Sequence, residues 1–331
     1  MRGKTSLGAV AILGGVAVSA SIAPAGTLVP IPPVPDSVAT YIRAINDNNE
    51  IVGYYVTSDG VSHGFVGTLD GNYTGFDAPG TGTIALGIDN DGFVTGHSDP
   101  SADCPISGCG FVRAPDGTIR AVHKGKKVLD AVVQGIVDRN SFVGDYARDG
   151  RPNANPIFYG FYGGRAKYGA DLTLPFTTDQ THPRGYNTRG TVVGYFHEID
   201  NNLYPAFVLQ DGAATAVTYP DDNAWQVLFE SVNDKGMVAG AWLDYALTTS
   251  NAFLFDTTQN AFSPITVRRA TVVLANSINN AGVVALTADD VSYIYCTRKR
   301  RCPLGGPNAT ELPEKWIPAK VRSIVVPARL K

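Results

Sequence analysis

Arg43, Gln134, Arg184, Glu230 and Asn276 have the most to offer chemically. Each stands two residues before a recurring anchor, at Ile45, Ile136, Tyr186, Val232 and Ile278, and Leu86 holds the same place before Ile88. Five of these six positions are polar in stretches that otherwise read as interior strand. Gathered on one axis, the two guanidiniums can hold an anion and Glu230 can act as acid or base. The plainer alternative is an internal ion-pair and hydrogen-bond set, such as Arg184 with Glu230, that locks adjacent units.

A second group lies in longer, variable segments. Carboxylates Asp99, Asp103, Asp149, Glu198, Asp200, Asp221, Asp222 and Asp244 occur there among Tyr204, Tyr219, Trp225, Trp242 and Tyr245. Aromatic faces stack on the apolar side of sugars while carboxylates take hydroxyls or metals, so Trp225 and Tyr245 join the ligand-binding candidates. A solvated acidic rim is the alternative.

Other chemistries lack their residues. Asp89-Asn90-Asp91-Gly92 opens like a calcium loop but has no bidentate Glu at the required spacing. The five histidines show no His-x-x-x-His pair, and neither a Gly-x-Ser-x-Gly elbow nor a phosphate-binding Gly loop occurs. No metal and no cofactor is expected, and no catalytic residue is assigned.

The elements that must position these residues are repeats. Ile45-Asn46-Asp47-Asn48-Asn49-Glu50-Ile51-Val52-Gly53 recurs in related form from residues 88, 136, 186, 232 and 278, a period of about 43–50. Each unit reads as four strands; in the first these are Tyr41–Ile45, Glu50–Val56, Ser62–Leu69 and Tyr73–Asp77. The Asn-Asp turn joins the first pair and Asp70-Gly71-Asn72 the last. The third strand carries a small residue before an aromatic, as in Gly64-Phe65, Gly110-Phe111, Gly160-Phe161, Ala206-Phe207 and Ala252-Phe253. The residue before each anchor is Ala44, Gly87, Gly135, Gly185, Ser231 or Ser277, all small, as an innermost strand crowded toward an axis demands. These features predict an all-β chain, a β-propeller of six four-stranded blades. Ring closure then needs a strand from one end, Thr27–Pro32 or Val321–Val326, with the first preferred.

The Ile-Asn-Asp-x-Gly-x-Val-Val-Gly half together with the Gly/Ala-Phe half resembles the bacterial HAF repeat over about 41–297. The family's His is present only at His63. The resemblance implies export and a propeller-like fold, and it transfers no catalytic residue.

The 331 residues include 36 glycines and only 17% charged residues, a turn-rich β profile with a net charge of −3. There is no global basic field for nucleic acid. Met1–Ala25 reads as a secretory signal: Arg2 and Lys4, then apolar Leu7–Ala20, then Ala23-Pro24-Ala25. Residues 26–40 form a Pro-rich segment and 41–331 the propeller with its tail, with no transmembrane segment in the mature chain. In an exported chain, Cys104 with Cys109 and Cys296 with Cys302 read as two local disulfides.

The sequence therefore predicts a secreted or periplasmic monomer, a binding or scaffold module using its variable-loop face. Its partner would be a carbohydrate, a cell-envelope component or a protein. The alternative is a propeller hydrolase or lyase with its site at the channel mouth.

Overall fold

The computed structural model describes residues 26–100, 108–122, 128–148, 157–163, 170–297 and 302–304. The signal segment, Cys104, Asp103, Asp149, the basic run 298–301 and the segment 321–326 lie outside the described residues.

Among the described residues, twenty-four strands form six antiparallel four-stranded sheets, each wound from an inner strand outward. The inner strands are Ala39–Ile45, Thr83–Ile88, Val128–Asp138, Thr178–Tyr186, Ala224–Val232 and Val273–Ile278, which begin blades 1 to 6. Blade 6 takes its fourth strand from the start of the described chain: Thr27–Pro30 pairs with Val291–Cys296. The ring is thus closed by backbone hydrogen bonds, and the protein is a six-bladed β-propeller.

Apolar alternation and the repeated aromatic explain the packing. Phe65, Phe111, Phe161, Phe207 and Phe253 are fully buried, each between its own sheet and a neighbouring one. Completely burying a phenylalanine contributes about 2–3 kcal/mol, so this one position in five blades is a large part of the core. The small residue before it makes room: a Cβ on Gly160 would stand 2.9 Å from Pro183 of the next blade.

One irregularity recurs in every blade. The pairing of first and second strands slips between Ile42 and Ala44, Ala85 and Gly87, Val133 and Ile136, Pro183 and Gly185, Phe229 and Ser231, and Ala275 and Ser277. Each slip is a β-bulge, an extra residue without a ladder partner that turns its side chain out of the pleat. The bulge also explains the glycine that ends most repeats. A Cβ on Gly53 would lie 1.9 Å from the Tyr41 carbonyl oxygen, and one on Gly194 would lie 2.1 Å from that of His182.

Cys296 and Cys302 form a disulfide beside the closing strand, and Cys109 is also disulfide-bonded. No helix among the described residues is long and apolar enough to cross a membrane.

Candidate functional site

The bulged residues are Arg43, Leu86, Gln134, Arg184, Glu230 and Asn276, and all six line one cavity on the ring axis. The cavity measures about 120 Å³. Its walls continue from these residues through the first turns to Asp47, Asn90, Thr188, Asp234 and Asn280. Inner strands run from the variable-loop face to the tight-turn face, so the cavity occupies the turn-side half of the channel. Trp225 and Tyr245 are not brought to it. Trp225 donates its indole N–H to the Asn202 carbonyl at 3.0 Å and packs edge-on against Tyr204. Tyr245 is 62% exposed.

Arg43 Nη1 donates to Asn276 Oδ1 across the seam between blades 1 and 6, at 3.3 Å. Asn276 Nδ2 donates to the Ile42 carbonyl and to Thr287 Oγ1, so this amide is fully occupied. Arg184 does not form the ion pair with Glu230 that the sequence suggested. Its Nη2 donates to the Tyr195 hydroxyl at 2.9 Å, with the guanidinium over the Tyr195 ring, and Glu230 acts on it only through space. Burial alone would lower the Arg184 pKa, but Tyr195, Glu230 and Asp145 outweigh it and raise the value. Burial pushes the Tyr195 hydroxyl up in turn, against the pull of Arg184.

Three groups in this layer have unused bonding capacity. Arg184 Nε is buried without a partner. Gln134 is only 6% exposed, and neither its side-chain amide nor the Glu230 carboxylate makes a hydrogen bond or ion pair among the described residues. Leaving the buried Arg184 Nε unmatched costs about 1–3 kcal/mol, whereas the Gln134 amide and the Glu230 carboxylate line the cavity, where water or a ligand can bond them.

The turn end is built differently. Asn46 Oδ1 accepts the N–H of Asn48 and Glu50, capping its own turn, while its Nδ2 donates to the Asp89 carbonyl of blade 2 at 2.9 Å. Asn187, Asn233 and Asn279 repeat this, donating to the carbonyls of Asn233, Asn279 and Asn46. The next residues form an outer ring: Asp47 accepts from Asn90 and Asn280, and Asp234 accepts from Asn280 and from the Thr188 N–H. Asp89 occupies the capping position in blade 2. Its Oδ1 accepts from Asp91 and Phe93, but Oδ2 is buried without a partner, and burial raises its pKa to about 6.

Sequence reasoning brought the six bulged residues to one axis as inner-strand positions but missed the bulges and the seams. The Asn at the second place of the repeat was a visible signal for the seams, because a turn alone does not require an amide over an acid. Nothing in the sequence marked the buried pair of His182 Nδ1 with Asp145 Oδ2, 2.8 Å apart across the seam between blades 3 and 4.

No family model matches the chain, and no curated protein matches it. Solved structures match its fold. TolB from Acinetobacter baumannii superposes with a TM-score of 0.51 at 11% identity, covering 75% of this chain and 63% of TolB. A gluconolactonase from Xanthomonas campestris gives 0.48 at 12%, covering 82% and 89%. The Aleuria aurantia lectin, solved with α-methyl-L-fucoside, gives 0.48 at 10%, covering 79% and 92%. At these identities the likeness is one of fold alone.

Proposed function

We propose that this chain is an exported ligand-binding propeller of the HAF-repeat kind that holds a small polar molecule in the turn-side half of its central channel. The observation that carries this reading is the bulge layer. Six blades each contribute one bulged residue to a single cavity, and Gln134, Glu230 and Arg184 Nε are left there without a hydrogen-bond partner among the described residues. Bulges re-aim side chains, and a repeated re-aiming toward unmatched polar groups is the arrangement of a site that a ligand completes. The disulfide at Cys296 and Cys302 supports export to an oxidising compartment. Binding is better supported than turnover, since Glu230 has no hydrogen-bonded proton-transfer partner among the described residues.

A thermal-shift screen of the full chain against small polar metabolites tests the reading. A compound at a hundred times its Kd adds about 2.7 kcal/mol to the folded state. At least one compound is expected to raise the melt of the wild type and of Trp225→Ala, but not of Leu86→Trp, which fills the cavity. A hit that survives Leu86→Trp and is lost in Trp225→Ala would place the site on the loop face and overturn the channel reading.

A further inference from the structure

The charges lining the cavity restrict what can enter it. Arg43 and Arg184 belong to blades 1 and 4, which face each other across a six-bladed ring. Each has one neutral hydrogen-bond partner, Asn276 and Tyr195, and neither has a carboxylate within ion-pairing distance. Glu230 belongs to blade 5, next to Arg184 and across the ring from Leu86 of blade 2. Nearer the turn face the lining adds Asp89 and then Asp47 and Asp234. The two rim carboxylates are engaged with Asn90, Asn280 and Thr188, which leaves their charge in place.

A simple anion suits the two guanidiniums, but it must pass Asp47 and Asp234 and then sit beside Glu230. A simple cation suits Glu230 and the rim, but it must sit between two arginines. A neutral sugar brings a countercharge to none of the three inner charges, of which only Arg184 and Glu230 act on each other through space. A ligand carrying both charges close together meets every one of these demands.

Resting on the channel reading above, we infer that the cavity takes a zwitterionic α-amino acid. Its carboxylate meets Arg43 and Arg184, its ammonium meets Glu230, and its side chain lies toward Leu86. The Gln134 amide, which can donate and accept, bonds to whichever edge of the ligand blade 3 faces. Charge-assisted pairing at both ends fixes the orientation of so small a ligand.

The test uses the full chain and the twenty common L-amino acids one at a time, first by thermal shift and then by calorimetric titration. Each amino acid that binds is compared with its des-amino acid and its decarboxylated amine. The amino acid is expected to bind about thirtyfold or more tightly than either fragment. Glu230→Gln, nearly isosteric, should erase the advantage over the des-amino acid while leaving the carboxylate-dependent part. Arg184→Met should erase the advantage over the amine. If des-amino acids bind as tightly as amino acids and Glu230→Gln changes nothing, the zwitterion assignment is overturned while the channel site stands. If neutral sugars bind in the channel and amino acids do not, the result is the same. If no probe in any class binds, both readings fall.

Discussion

Among the described residues, four of the six seams between blades are laced by side-chain amides, and the two that flank blade 3 are not. From blade 4 through 5, 6 and 1 to blade 2, each capping Asn donates to the next blade's backbone, and the outer ring of Asp47, Asn90, Thr188, Asp234 and Asn280 doubles every one of those seams. At blade 3 the capping place holds Val137, which has no donor, and the turn tightens so that Asp138 pairs directly with Ser141. The two flanking seams are crossed instead by His–Asp pairs toward the loop side. His97 Nε2 lies 3.0 Å from Asp130, and His182 Nδ1 lies 2.8 Å from Asp145. A ring can thus be closed by neutral amides at one end of the channel or by acid–imidazole pairs at the other. The capping amides themselves add no charge, whereas the His182 pair puts a buried carboxylate, Asp145, beside Arg184.

The comparison is broken most strongly at His182. His182→Leu leaves Asp145, 4% exposed, without its imidazole and with only the through-space pull of Arg184. Removing one member of a buried pair costs about 3 kcal/mol or more, which urea unfolding should read as a lower midpoint at an unchanged slope. A loss under about 1 kcal/mol would mean that apolar packing alone closes this seam. Asn279→Ala should come next, at about 2 kcal/mol, because it takes from the Asn46 carbonyl one of its two donors, leaving the Asn49 N–H, and uncaps the turn N–H groups of Ala281 and Val283 together.

Asp89 lets the two kinds of seam be interconverted. The acid accepts from its own turn as the Asn residues do, but its second oxygen, where each Asn carries the amide that donates to the next blade, is buried without a donor. Its folded pKa, about 6, lies well above the ordinary range of an aspartate, chiefly through burial and with a smaller contribution from Asp91. The folded state therefore binds the extra proton. The stabilisation from that proton is complete below about pH 4 and is lost as pH rises through about 6. Asp89→Asn should add about 1–3 kcal/mol at pH 7.5 and almost nothing at pH 4. An effect of equal size at both pH values would show that the carboxyl proton is irrelevant to this seam. Asn233→Asp runs the same experiment in reverse on a laced seam, with the loss larger at pH 7.5 than at pH 5.

How far the sequence foretold this depends on whether a residue acts within its repeat or between repeats. The convergence of the six inner-strand positions was legible because each lies at a fixed offset from an anchor, and the small residue after each told that the strand runs along a crowded axis; that each sits on a bulge was not. Closure by Thr27–Pro30 was legible because blade 6 lacked one strand. The face on which the cavity opens was not legible: loop length drew attention to the variable side, while the polar side chains sit in the last residues of the inner strands. His182 with Asp145 was not legible either, because its partners come from different blades. Arg184 pairing with Tyr195 rather than Glu230 depends on side-chain reach across a bulge, which spacing does not encode.

The smallest effect is expected at the outer ring. Asp47 is exposed, yet it receives the Asn280 backbone N–H at 2.7 Å, the Asn280 amide at 2.8 Å and the Asn90 amide at 2.9 Å, tying blades 6, 1 and 2 together. Asp47→Ala removes three hydrogen bonds, but water can reach all three donors, so the loss should be about 0.5–1 kcal/mol despite the number of bonds. The same substitution removes a carboxylate from the rim of the cavity and so distinguishes the ring's two roles. A mechanical lace predicts a lower unfolding midpoint with unchanged ligand affinity. A rim that screens by charge predicts that des-amino carboxylates gain affinity relative to their amino acids. If Asp47→Ala costs as much as Asn279→Ala, the outer ring is shielded from water as well, and the lacing of four seams is a single cooperative structure rather than two concentric ones.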